Sequence, residues 1–234
     1  MHRTMPRIAF SCTLILTGVC STAASQNLPA PILLRTTYIS VTDADTVWQN
    51  IIRTPQSFES DVRIPGAGAL VKIAAVLDSV ALIRRLNVDV WRGTGSPNPS
   101  HSQSASFIIT HDSVLGEVHD PTRTQPQRFP APRAAMIVQG AYLAFLEQLL
   151  LRARALGAGE VSIPLYFFGT PGQTGVATVR FSEKSDSAIV VFAGHPIALR
   201  VDDWGRIVSG ETGRTRISRV RFRQFFPDDP NSPA

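Results

Sequence analysis

Cysteine is nearly missing from this 234-residue chain: Cys12 and Cys20, the two present, both fall within the first twenty positions. The remainder can form no disulfide, no thiolate zinc site and no iron–sulfur cluster, and it has no cysteine nucleophile. Lysine is also scarce. Only Lys72 and Lys184 occur, so the basic residues are nearly all arginine. Tyrosine and tryptophan number three each, too few to build the two aromatic girdles of a membrane β-barrel. The one long apolar run, Ile8 to Val19, falls short of the ~20 residues that cross a bilayer as a helix. There is no HExxH, no GxSxG elbow, no P-loop and no GxGxxG between a strand and a helix, so the familiar metalloprotease, hydrolase and nucleotide-binding signatures are excluded.

What is there begins with an export signal. His2, Arg3 and Arg7 precede the apolar run, and Ser21-Thr22-Ala23-Ala24-Ser25 supplies small residues for cleavage. This pattern predicts a signal peptide over residues 1–25. Val19 stands where a lipoprotein signal needs a small residue before Cys20, which argues against lipidation. The expected location is therefore outside the cytoplasm, in the periplasm or cell envelope. About 209 residues remain, enough for a real core in one domain over 26–226. They hold 21 basic and 18 acidic residues. So small an excess does not point to a polyanion.

Two-residue alternation dominates the rest. Val71, Ile73, Ala75 and Leu77 share one face opposite Lys72. Leu86, Val88 and Val90 alternate with Arg85, Asn87 and Asp89. Val161, Ile163, Leu165 and Phe167, and then Ile197, Leu199 and Val201, repeat the pattern. Each is a strand with one wet face, and such sheets are mostly antiparallel. Turn chemistry recurs between the strands as Asp45-Thr46-Val47, Asp78-Ser79-Val80, Asp112-Ser113-Val114 and Asp186-Ser187-Ala188, because Asp and Ser bond their own backbone. Asp203-Trp204-Gly205 suits a hairpin with Gly205 in the left-handed region. The fold class this predicts is mainly β (α+β), an antiparallel meander forming a curved sheet or half-barrel.

One segment has helical spacing. Tyr142, Phe145, Leu146, Leu149, Leu150, Ala153 and Leu156 form a stripe, with Glu147, Gln148, Arg152 and Arg154 mostly off it. This predicts an amphipathic helix over 142–156 that ends at Gly157 and packs on the sheet. Gly93–Ser104 is expected to be a long loop, Pro121–Pro132 an extended link into the helix, and 227–234 a frayed tail.

Candidate chemistry is sparse. His111 and His119 are placed to face each other across a hairpin, but exposed polar residues fit that pattern better than metal ligands. Acid pairs such as Asp202-Asp203 sit in a turn and point apart. Gly169–Gly175 is followed by a strand, so it reads as a hairpin loop and not a phosphate cradle. No catalytic residue, metal site or cofactor is predicted. Phe167, Phe168, Phe181 and Phe192 either line an apolar ligand cavity between sheet and helix or fill the core. Arg219, Arg221 and Arg223 alternate along one expected strand face, opposite Val220 and Phe222. That strip either binds anions or protects an edge strand from aggregation.

The order of an export signal, a long antiparallel meander and an inserted apolar helix resembles the periplasmic half-barrel proteins related to the LolA/LolB lipoprotein carriers. Leu146–Gly157 with Val201–Ile207 also resembles uncharacterised exported β proteins. The carrier resemblance implies a curved sheet that holds acyl chains against a helix. The partners expected are therefore a lipid or other amphiphile, or an envelope protein. The membrane is expected as a surface without integral insertion, and nucleic acid is not expected. The alternatives are a module that recognises anionic surfaces through the arginine strip and a hydrolase of unfamiliar type.

Overall fold

The computed structural model describes residues 32–94, 100–139, 142–157, 159–168, 172–184, 186–192 and 194–227. The expected signal segment, the lead-in Gln26–Pro31, residues 95–99 of the expected loop, Gly169–Pro171 and 228–234 of the expected tail lie outside these. The strands are β1 (Leu33–Val41), β2 (Thr46–Arg53), β3 (Ser57–Ile64), β4 (Ala69–Leu77), β5 (Ile83–Arg92), β6 (Ser100–Ile109), β7 (Ser113–His119) and β8 (Thr124–Pro130). They continue as β9 (Met136–Val138), β10 (Glu160–Phe167), β11 (Thr174–Phe181), β12 (Ser187–Phe192), β13 (His195–Val201), β14 (Ile207–Thr212) and β15 (Thr215–Phe225). Among the described residues one α-helix, α1 (Leu143–Leu156), follows β9, and a short 3-10 turn, Pro65–Ala67, lies between β3 and β4.

All fifteen strands form one curved, open sheet in the order β8-β7-β6-β5-β4-β3-β2-β1-β15-β14-β13-β12-β11-β10-β9. Consecutive strands pair throughout except β8 and β9, which form the two edges of the sheet, and at the centre β1 pairs with β15. Every pairing is antiparallel apart from β9 and β10, which run parallel with α1 as the crossover. All four Asp turns close hairpins as their chemistry demands. In the β4–β5 turn, for example, Asp78 Oδ1 accepts from the N–H groups of Val80 and Leu82 at 3.0 and 2.9 Å. Gly205 turns β13 into β14 with φ +74°, and a Cβ there would lie 2.8 Å from Arg154 Nε.

Two expectations about loops are corrected. Ser100–Ser104 belongs to β6, paired along β5, because its serines occupy a wet strand face. The proline-rich 121–132 stretch contains β8, the outer edge strand. Pro126 and Pro130 share a parity, so their missing N–H groups fall on the free edge, where proline is tolerated.

The two ends of the sheet overlap. Tyr166 points to the face of β10 away from the helix, yet it has no exposed surface. Phe129 of β8 covers it, with ring centroids 6.4 Å apart, and Phe107 of β6 meets Phe168 at 5.3 Å. The β6–β8 end is therefore lapped over β9 and β10, which explains why Met136, Ile137 and Val138 are buried on both faces. The helix lies inside the roll. Leu143 to Leu150 are buried without a break, so the helix has no solvent face over its first two turns. Each fully buried Phe or Leu contributes about 1.5–3 kcal/mol.

Candidate binding site

Because α1 is enclosed, its polar residues must find partners inside. Glu147 and Gln148, expected off the buried stripe, are 1% and 0% exposed. Arg53, 3% exposed, projects inward from β2. Its Nη2 lies 3.7 Å from Glu147 Oε2, and its Nη1 donates to Gln148 Oε1 at 2.5 Å. Tyr38 of β1 donates to Glu147 and also approaches the Ile207 carbonyl at 2.9 Å. Gln148 donates to the Ala81 carbonyl at 2.6 Å. Gln49 Oε1 accepts from the Leu143 N–H at 2.9 Å, a cap supplied by the sheet where Tyr142 offers none. Burial holds the Tyr38 hydroxyl well above its ordinary range, and adjacent Glu147 adds to this. Burial lowers Arg53 to about 10, with Glu147 opposing the shift, so Arg53 remains a cation at neutral pH. This network ties α1 to the sheet and offers no opening for a substrate. It is scaffold.

The helix C-terminus is held by Arg152, which donates to the Val80 carbonyl, and by Arg154, which donates to the Asp203 carbonyl, both at 2.7 Å. Arg154 also covers the Phe181 ring, 5.1 Å from its centroid. The four candidate phenylalanines do not line one shared cavity. Phe168 and Phe192 are core residues, Phe167 and Phe181 pack against that core, and Phe167 meets Phe192 edge-on at 5.8 Å. Side chains of α1 and of β10 to β13 form one continuous core around them.

The arginine strip is divided by a bulge. The register between β1 and β15 slips at Thr37/Tyr38, so Arg219 sits opposite Tyr38 while Arg221 sits opposite Thr37. Arg219 therefore turns to the inner face. It pairs with Asp202 at 2.6 Å and lies over the Phe222 ring at 4.5 Å. Arg221 and Arg223 stay outside and exposed. The expectation of three arginines on one face is thus corrected, because the extra residue, Val220, reverses the alternation. His111 and His119 do not face each other either. His111 lies in the β6–β7 turn, whereas His119 ends β7 opposite Ser104. Among the described residues no group of three metal-ligating side chains is assembled.

Two open volumes stand out among the described residues. One, of about 310 Å³, lies in the seam where the sheet overlaps itself, between Val90, Gln103, Val118, Gln127, Gln139 and Phe168. The buried Oε1 atoms of Gln127 and Gln139 have no partner there. The other, a groove of about 670 Å³, crosses β11 to β15. Its inward residues Ala188, Leu199 and Ile217 are 2–4% exposed, whereas Ile189 is 39% exposed, so the groove opens on the outer face. Ile189 and Ala198, cross-strand partners, form an apolar floor. Ser187, Ser209 and Ser218 keep it low, and Arg180, Arg200, Arg216 and Glu211 form the rim. None of these three arginines makes an ion pair among the described residues. Sequence alternation marks these positions as outward, but it does not say which strands lie side by side.

No family model matches the chain, and no curated protein matches it. Two solved structures are similar. One is a DUF1089 family protein from Pseudomonas aeruginosa, 12% identical, with a TM-score of 0.51 over 69% of this chain and 87% of that one. The other is a porin-like protein from Bacteroides uniformis, 6% identical, with a TM-score of 0.23 over 83% of this chain and 96% of that one. The first likeness shows the fold; the second carries no argument. Among the described residues no helix is long and apolar enough to cross a membrane.

Proposed function

We propose that this is an exported, non-enzymatic binding protein for an anionic amphiphile, held in the outer groove of β11–β15. The observation that carries the reading is the pairing of an apolar floor, Ile189 and Ala198, with three arginines, Arg180, Arg200 and Arg216, that make no ion pair among the described residues. Guanidinium groups bind carboxylate and phosphate through charge-assisted, often bidentate hydrogen bonds. The apolar tail gains by leaving water. The basic, apolar N-terminal stretch supports export, and the likeness of element order to the LolA/LolB carriers supports an amphiphilic ligand. The continuous core between helix and sheet favours the outer face over the inner one, where those carriers hold acyl chains.

Titration calorimetry with dodecyl phosphate and with dodecyl maltoside tests the reading. The phosphate is expected to bind the full chain with one site and the maltoside weakly. Each of Arg180→Ser and Arg200→Ser is expected to weaken the phosphate by about 10- to 100-fold, the loss of one charge-assisted contact. Equal binding of both detergents, or unchanged affinity in both variants, removes the proposal.

A further inference from the structure

The outer surface of the roll is convex, and its middle strand is β1, the eighth of fifteen. Bulges, side-chain parity and register place an unusual set of residues on that apex. Trp48 of β2 is 42% exposed and lies opposite Ile39, Ile52 lies opposite Arg35, and Val220 stands out at the β15 bulge, 51% exposed. Val41 is exposed beside them. Interleaved with these are Arg35, Arg216, Arg221 and Arg223 on β1 and β15, and Arg63 on β3 opposite Trp48. Arg35 and Arg223 are direct cross-strand partners. Like charges placed so are destabilising unless an anion lies between them. The outward positions of β2, β1 and β15 carry no acid. Glu211 opposite Arg216, Glu59 opposite Ile52 and Asp61 opposite Asn50 border the patch from the strands on either side.

We infer that this apex docks on an anionic lipid bilayer. A convex ridge meets a plane along its crest, and here the crest carries exposed aliphatic side chains and an indole among arginines. Indole settles at the headgroup level of a bilayer, and arginines attract anionic headgroups. A second copy of the chain is a poorer occupant, since it would bring arginines against arginines. The inference deepens the groove proposal, because Arg216 and Ser218 belong to both surfaces. A docked molecule has its groove open beside the membrane, where a charged amphiphile enters or leaves.

Flotation of the full chain with vesicles tests the inference. Vesicles of phosphatidylglycerol and phosphatidylcholine in equal parts are expected to bind, and pure phosphatidylcholine vesicles are not. At about fivefold per arginine, the Arg221→Ser/Arg223→Ser double variant should bind about 30-fold more weakly. Tryptophan emission should shift to the blue on binding, and the shift should vanish in Trp48→Phe. Equal binding to neutral vesicles, an unaffected arginine variant, or a blue shift that survives Trp48→Phe overturns the inference. Failure of the groove reading is distinguishable: dodecyl phosphate then fails to bind while flotation and the Trp48 shift persist.

Discussion

Replacing Arg53 by Met leaves Glu147 as a carboxylate 1% exposed, with no cation within salt-bridge distance among the described residues. It also removes the Arg53 bonds to Gln148 Oε1 and the Ala144 carbonyl. Breaking one side of a buried ion pair costs about 3–5 kcal/mol. For a domain of this size each kcal/mol lowers Tm by roughly 2–4 °C, so the variant should melt roughly 6–20 °C earlier. Adding Glu147→Leu removes the stranded charge. Tyr38 keeps the Ile207 carbonyl and Gln148 keeps that of Ala81. The double variant should therefore recover at least about 2 kcal/mol relative to Arg53→Met, as buried pairs replaced by apolar residues commonly do. Urea unfolding followed by circular dichroism reads both, with the slope m unchanged if the same surface is exposed. A double variant no more stable than Arg53→Met would refute the reasoning, since the two charges would then not be coupled. So would a single variant that costs less than about 1 kcal/mol.

The remaining predictions concern titration, the divided strip and the seam. Tyr38 keeps its proton in the folded protein above pH 10, where an unfolded tyrosine loses it. The stability gap between wild type and Tyr38→Phe should thus be constant below pH 10. It should narrow above pH 10 by up to about 1.4 kcal/mol per pH unit. The shift of Arg53 acts in the opposite direction but is common to both proteins, and a gap independent of pH in alkaline urea titrations would contradict the assignment. Arg219→Ser should lower stability by about 1–3 kcal/mol, through the lost Asp202 pair, and leave vesicle flotation unchanged once the protein is folded. Arg221→Ser should do the reverse, and matching behaviour of the two would contradict the bulge. Gln139→Met removes an amide whose oxygen is buried without a partner among the described residues and should hold or raise urea stability by about 1 kcal/mol. A loss of more than that would mean the amide is bonded in solution.

The strands and hairpins were legible because their signals are local. The alternation of Val71 to Leu77, the Asp78 turn and the Asp203-Trp204-Gly205 hairpin each depend on residues a few positions apart. The helical stripe of 142–156 was legible for the same reason. The fate of its polar side was not. A helical wheel shows which residues differ, but only the surrounding sheet decides whether the polar side meets water. Here Glu147 meets Arg53 and Tyr38, about a hundred positions earlier in the chain. A lone Arg53 following Gln49 and Ile51 on the inward parity of β2 was the available clue, since an inward arginine requires a buried partner. The strip at Arg219–Arg223 misled because alternation assumes an unbroken strand, and a bulge leaves no mark in composition. The groove was invisible for a different reason. Its floor joins Ile189 to Ala198 across a hairpin, while its rim draws on β11, β13 and β15, whose adjacency no local pattern encodes.

The junction of β1 with β15 has a consequence for how the molecule is made. Strands β1 to β8 can zip together in sequence as they emerge, and β10 to β15 can do the same, since each contact is with the preceding hairpin. The seam between those two sets closes only when the last described strand arrives. Until then the flank of β1 is a naked ladder of amides and carbonyls that any stray extended chain can pair with. Arg35, in that strand, is the charge that discourages such a visitor. Synthesis that stalls before residue 215 should accordingly yield an adhesive half-sheet, prone to aggregation and open to chaperones, with the helix already in place and nothing to seal it in.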